Sequence, residues 1–280
     1  MTPVPSATQW GSPAASKRAF LIHGNTCSSH TWETVAQSLA KAGWIMFFGI
    51  FSDMISSVIL PGFLVTAPNM LGHGNRSTGD FHLQTFAQDL YSTYFTNGFT
   101  YDVIIGHSLG GTVALALLPM LPTPWGHKTA VILVDPGIEF SDEVLDEFEK
   151  RLGAEIQHVP SVEAYVADHP TWTRQDAVSR VVGLHMAQSE LPKRIFEHIK
   201  PFVYTHLFSA IPQHVEMTVL VADPALSSVC PPELVPAHPQ IRKVITVKGS
   251  SHWVQRDNPG AIVKAAIDEV ERLERVAVQL

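Results

Sequence analysis

Cysteine is almost absent from this chain of 280 residues, which carries only Cys27 and Cys230. Two thiols without CxxC or Cys/His spacing build neither a disulfide framework nor a zinc site, and they fit a reducing compartment. Charge is also scarce, at 16% of residues against about 25% in an average soluble domain. Basic residues number 19 against 26 acidic ones, for a net charge of −7, and they form no run. Nucleic-acid affinity comes largely from Lys and Arg on phosphates, so no nucleic-acid partner is expected. The opening residues Met1–Ser6 lack the basic and apolar regions of a signal peptide, so a cytoplasmic rather than secreted location is the expectation. Histidine is common, at 14, but no HExxH or dense histidine cluster occurs, so no metal is expected.

What is present is ample apolar material, 45% of residues, arranged with an α/β rhythm. Short apolar runs predict strands at Ala19–Ile22, Phe63–Ala67, Asp102–Ile105, Ala130–Val134, Val219–Ala222 and Lys243–Val247. Between them lie helical stripes. Trp32, Val35, Ala36, Leu39 and Ala40 repeat at helical spacing. Further helices are predicted from about Asp80 to Tyr94, after Gly111 through Val113, Ala114, Leu115, Leu117 and Leu118 to near Pro119, and from Asn258 as cap to about Ala277. Alternating strands and helices imply a mostly parallel sheet with helices on both faces. The rhythm breaks between Pro136 and Glu216, where helices such as Ser141–Leu152 and Arg174–Met186 predict an inserted helical cap. The expected organisation is a loose arm over 1–17 with one short strand near Gln9-Trp10, a core formed by 18–136 and 216–280, and a helical cap over 137–215.

The chemistry concentrates at three strand ends. Gly106-His107-Ser108-Leu109-Gly110 follows a strand and opens a helix. A serine hydroxyl is a weak nucleophile, and a sharp strand-to-helix turn between small residues presents it. The Leu109 N–H at the helix start is one oxyanion donor. The loop His23-Gly24-Asn25-Thr26 offers the second, Asn25 first and Thr26 as fallback. His252 follows the last strand at the same sheet edge and is the candidate base. The orienting carboxylate is either Asp223, after the fifth predicted strand, or Asp135, after the fourth; Asp223 is preferred.

Leu21-Ile22-His23-Gly24, Leu71-Gly72-His73-Gly74, the GxSxG at Ser108 and the late His252 together resemble the α/β-hydrolase superfamily over about residues 18–280. The resemblance implies the α/β-hydrolase fold, the chain order Ser108, Asp223, His252 for a triad, and oxyanion roles for Asn25 and Leu109 N–H. It implies no metal or organic cofactor. The expected activity is hydrolysis of a carboxylic ester or thioester through an acyl-enzyme, on a small apolar ester-like substrate. A C–C bond hydrolase acting on a diketone uses the same residues, and a non-catalytic ligand-binding member is the reading from another class. The His-Gly-Asn stretch with Ser28, Ser29 and Trp32 also resembles haloalkane dehalogenases, but Ser108 stands where those enzymes use aspartate. That disfavours dehalogenation and epoxide hydrolysis. Cap aromatics Trp172, Phe196, Phe202, Tyr204 and Phe208 are candidates for an apolar substrate pocket.

Two departures from the superfamily and one anomalous segment are visible. The candidate acid lacks the commoner Gly-x-x-Asp form, since Asp223 comes directly at the strand end in Ala222-Asp223-Pro224. Only 22 residues precede His23, which predicts a sheet lacking its first antiparallel edge. Residues 44–65 hold a single charge, Asp53. Their length could span a bilayer, but a span would put His23 and Ser108 on opposite sides. Removing Trp44–Gly62 restores a short helix-to-strand link, so this segment reads as a retained intron, a family-specific insertion, or an apolar lid touching a membrane surface.

Overall fold

The computed structural model describes residues 6–49, 55–60, 62–96, 98, 100–123 and 126–277. Its centre is a seven-stranded sheet built from β1 (Ala7–Trp10), β2 (Lys17–Ile22), β5 (Phe63–Pro68), β6 (Val103–His107), β7 (Thr129–Val134), β8 (Val215–Ala222) and β9 (Ile241–Val247). The order is β1-β5-β2-β6-β7-β8-β9. All pairs are parallel except β1 with β5. The antiparallel edge expected to be lacking therefore exists, and the short strand expected near Gln9-Trp10 in the arm supplies it. Ala7 to Trp10 pair with Pro68 to Val65, and Gln9 Nε2 donates to Thr66 Oγ1 at 3.1 Å. Backbone pairing needs only an extended chain, so a Pro- and Ser-rich arm with one Thr-Gln-Trp stretch suffices.

Side chains alternate across the strands and feed two separate apolar layers. Phe20 and Ile22 enter the layer that holds α2 (Leu83–Tyr94) and α3 (Leu109–Leu117). Ala19 and Leu21 enter the opposite layer with α1 (Glu33–Lys41) and α9 (Pro259–Ala277). β6 and β7 are buried at every residue, as expected for strands covered on both faces. This is the α/β-hydrolase fold.

Between β7 and β8 run four helices: α4 (Asp142–Gln157), α5 (Val162–Asp168), α6 (Arg174–Met186) and α7 (Leu191–Ile199). Ser141, Ser161 and Thr173 accept from backbone N–H groups at the starts of α4, α5 and α6. Asp176 completes a reciprocal capping box with Thr173, which fixes the start of α6. Leu191, Ile195, Phe196 and Ile199 of α7 join the main apolar layer. Tyr165, Trp172, Ala177 and Leu184 form a smaller cluster of their own.

The apolar segment after α1 forms β3 (Trp44–Gly49) and β4 (Ile55–Leu60), paired antiparallel in a separate two-stranded sheet. Asp53 lies outside the described residues. Trp44 pairs with Leu60 at the base of this ribbon, so its two ends leave the fold side by side. Among the described residues, no helix is long and apolar enough to cross a membrane.

Candidate active site

Ser108 sits at the turn from β6 into α3 with φ 54° and ψ −125°. A non-glycine residue at positive φ is strained, and the neighbours explain how the strain is held. A Cβ on Gly106 would lie 2.5 Å from the Gly110 carbonyl oxygen. A Cβ on Gly110 would lie 2.4 Å from the carbonyl oxygens of Ile22 and His23. Both glycines are thus required by close approach of backbone. The Ser108 N–H donates to the Val134 carbonyl at 3.1 Å, and its own carbonyl accepts from Gly111 N–H at 2.9 Å.

His252 follows β9 and short α8 (Val254–Asp257) follows it. Its Nδ1 donates to Asp135 Oδ2 at 2.7 Å. Asp135 is fully buried and also accepts from Ala222 N–H at 2.9 Å, Ser228 Oγ at 2.6 Å and Val229 N–H at 3.0 Å. Burial alone would raise this carboxyl, but the hydrogen bonds from His252, Ser228 and Val229 and the adjacent imidazole outweigh it and hold the carboxyl below its ordinary value.

The preferred carboxylate, Asp223, is elsewhere. It is half-buried and accepts from Ala225 N–H at 3.1 Å and Gly249 N–H at 3.0 Å, stitching two turns together. Asp135 replaces it as the partner of His252. β7 lies beside β6 while β8 is one strand further. A histidine arriving from β9 toward Ser108 must cross the ends of β8 and β7, which brings it over Asp135.

The ring of His107 supports the same arrangement. Its Nε2 donates to the His252 carbonyl at 2.9 Å, and its ring lies 4.7 Å from that of His252, centroid to centroid. Burial, then the nearby His252, keep His107 well below the usual histidine value, so it is a neutral donor. No sequence signal marked this role, because the residue before the serine is unconstrained in the motif.

The loop after β2 is pinned from two sides. His23 Nδ1 donates to the Gly24 carbonyl at 2.8 Å, and Nε2 accepts from Met70 N–H at 3.0 Å. Burial, reinforced by the positive charge of Arg76, lowers its pKa to about 4. From the other side, Arg180 of α6 donates through one nitrogen to the Thr26 carbonyl and to Thr26 Oγ1, both at 3.0 Å. Its remaining nitrogens bind the Glu155 carboxylate. Thr26 has φ 56°, and a Cβ on Gly183 would lie 3.1 Å from the Thr26 carbonyl oxygen. The helical insertion therefore helps to set the conformation of the loop that carries Asn25.

Ser108, Asn25, Leu109 and His252 line one cavity of about 70 Å³, with Phe140, Phe196 and Phe202 on its apolar side. Leu109 is the first residue of α3, so its N–H has no carbonyl one turn earlier to donate to. Both polar atoms of the Asn25 side chain are buried and have no protein partner. An outer cavity of about 480 Å³ adjoins the first. Phe148, Arg151, Leu152, Val229, His252 and Trp253 belong to both. Of the expected pocket aromatics, Phe196 and Phe202 line the inner cavity and Trp172 the outer one. Phe208 is buried in the main apolar layer and Tyr204 packs against it. Trp253 and Arg151 were not anticipated, since neither belongs to a motif or an apolar stripe.

Away from this site, Asp80, His82 and His198 bring ligand atoms within 4.8 Å of one another at the surface. The Asp80 oxygens are already engaged by His82 N–H at 2.9 Å and Thr85 Oγ1 at 2.7 Å. That geometry is a polar lead into α2, which begins at Leu83 rather than at Asp80.

A model of the alpha/beta hydrolase family matches residues 19–265. No curated protein sequence is a significant match. Among solved structures, the chain is similar to a thermophilic esterase from Thermogutta terrifontis crystallised with malate, at 18% identity, 96% of this chain, 93% of the other and a TM-score of 0.64. A carboxylesterase of Nitrososphaera gargenis is similar at 16% identity, with 97% and 95% covered and a TM-score of 0.68. An E-2-(acetamidomethylene)succinate hydrolase is similar at 16% identity, with 95% and 94% covered and a TM-score of 0.69.

Proposed function

The chain belongs to the alpha/beta hydrolase family, and from that premise we propose that it is a serine hydrolase cleaving a carboxylic ester or thioester. The observation that carries the reading is Ser108, held on a strained turn at the head of α3, in one cavity with the His252–Asp135 pair. With Nδ1 of His252 committed to Asp135, Nε2 is the nitrogen left to take the Ser108 proton. Ser108 Oγ attacks the carbonyl, and the negative charge that develops falls to the N–H groups of Leu109 and Asn25. His252 then protonates the leaving group. Water, deprotonated by the same nitrogen, releases the acyl group. Asp135 fixes the tautomer and stabilises the imidazolium. A lost oxyanion donor would cost about a hundred- to a thousandfold in rate.

The helices α4–α7 act in this reading as a cap. They supply the Phe148 and Phe196 walls and, through Arg180, hold the Asn25 loop. The esterase names of the solved neighbours agree with acyl transfer. Labelling with a fluorophosphonate probe tests the proposal. The expected result is labelling of the wild type that is lost in Ser108→Ala. A folded wild-type protein that neither labels nor turns over short-chain aryl esters would overturn it.

A further inference from the structure

The walls of the two adjoining cavities carry three charged side chains that are not histidine: Arg151, Arg180 and Glu155. Arg180 and Glu155 neutralise each other, because Arg180 engages both oxygens of the Glu155 carboxylate. The Tyr165 hydroxyl adds another bond to the same carboxylate. Arg151 is the charge left over. It lies on α4 with its guanidinium carbon 5.1 Å from the centre of the Phe148 ring. Arg151 is exposed, and among the described residues it makes no direct ion pair; its charge reaches Glu155, one turn on, only at longer range, where it adds to the lowering of that carboxyl. It lines both the inner and the outer cavity. In a chain with a net charge of −7, the side chains lining the passage to Ser108 thus carry one positive charge in excess, while the Asp135 carboxylate is fully buried and paired with His252.

The direction of the passage says which part of a substrate meets that charge. The inner cavity holds Ser108, Asn25 and Leu109; the outer holds His252 but none of these three. In the mechanism above, His252 hands its proton to the leaving group, so the leaving group lies on the His252 side and extends into the outer cavity. The acyl group lies in the inner one. Its volume of about 70 Å³, against about 480 Å³ outside, suits a short acyl chain.

Resting on the serine-hydrolase reading, we propose that the substrate is a short-chain acyl ester or thioester whose leaving group carries a carboxylate, bound by Arg151. A guanidinium on a carboxylate forms charge-assisted, bidentate hydrogen bonds. One surplus positive charge balances one carboxylate, whereas a phosphate monoester brings about −1.5 to −2 at neutral pH.

The test compares release of acetate from 4-acetoxybenzoate and from its methyl ester, whose leaving groups differ in charge and by one methyl group, each corrected for its alkaline hydrolysis rate. The full-length enzyme should prefer the anion by about tenfold in kcat/KM at low salt, through KM more than kcat. Added salt should erode the preference. Arg151→Gln should bring the ratio of the two esters close to one, and Arg151→Lys should restore part of it. A wild-type ratio near one, or a preference that survives Arg151→Gln, would overturn the proposal while Ser108 still labels with fluorophosphonate. A preference for 4-acetoxyphenyl phosphate over the carboxylate would overturn the charge match. Loss of both labelling and turnover in folded protein would overturn the hydrolase reading itself, and this proposal with it.

Discussion

The carboxylate of Asp135 accepts a hydrogen bond from His252 Nδ1 at 2.7 Å, across 117 residues of sequence. Asp135 stands at the end of β7 with φ 41°, a conformation that aspartate tolerates better than most residues. Its N–H is tied to the Leu220 carbonyl at 2.7 Å. Three further donors surround its oxygens, so the carboxylate has little freedom to swing away from the imidazole.

This pairing separates two aspartates that a motif search treats alike. Asp135→Asn should lower kcat on a short-chain ester by about 10⁴, because an amide favours the wrong imidazole tautomer. Asp223→Asn should leave kcat within a few-fold of wild type, since Asp223 only joins the turns at Ala225 and Gly249. Steady-state kinetics on the two variants, with circular dichroism to confirm folding, decides between them. The opposite ranking would return the role to Asp223.

Gly110 should be intolerant of any side chain. A Cβ there meets backbone oxygens of the adjoining strand end at 2.4 Å, and backbone cannot rotate aside. Gly110→Ala is expected to destabilise by about 2 kcal/mol or more, a fall of about 4–8 °C in melting temperature. Calorimetry that finds an unchanged melting temperature would contradict the packing around Ser108.

Acid should weaken the fold before its carboxylates titrate. His23 is buried with both nitrogens committed, and its pKa falls from 6.5 to about 4. His73 and His107 are held below the ordinary value as well, chiefly by burial. The unfolded chain binds protons at these sites near pH 6.5 and the folded chain does not. Stability is therefore flat above that pH and falls as pH drops from about 6.5 toward 4. His23 alone contributes on the order of 3 kcal/mol to the loss. Urea unfolding at a series of pH values measures it; equal stability at pH 7 and pH 5 would refute it.

The ribbon of β3 and β4 should be removable. Trp44 and Leu60 are paired at its base, and directly paired residues of antiparallel strands lie only about 4.5–5.5 Å apart. Excising Trp44–Gly62 leaves ends that a short link can rejoin. The shortened chain should fold and label at Ser108. Failure to fold, while the full chain folds, would make the ribbon an integral part of the structure.

Much of the fold was legible because its signals are local. Buried parallel strands read as short apolar runs, and the stripe of Trp32, Val35, Ala36 and Leu39 read as a helix face. Both glycines of the motif at Ser108 report a steric demand that any such turn makes. A short strand near Gln9-Trp10 was legible, but its place as the antiparallel edge of the sheet was not, because an edge strand with one neighbour needs little apolar content to mark its partner. The ribbon was hard to read because a continuous apolar run has no period to distinguish strand from helix.

The sequence by itself determined the α/β architecture, the serine at the turn and the histidine after the last strand. Each is written in contiguous residues whose spacing has a physical meaning. The pairing of His252 with Asp135 rather than Asp223, the hydrogen bond from His107 to the His252 carbonyl, and the position of Arg151 on the walls of two cavities were decided only by tertiary structure. Those relationships depend on which strand ends lie side by side and on which charges find partners. Both are set by the order of strands in the sheet and by where the helical insertion comes to rest, and neither is a property of any short stretch of chain.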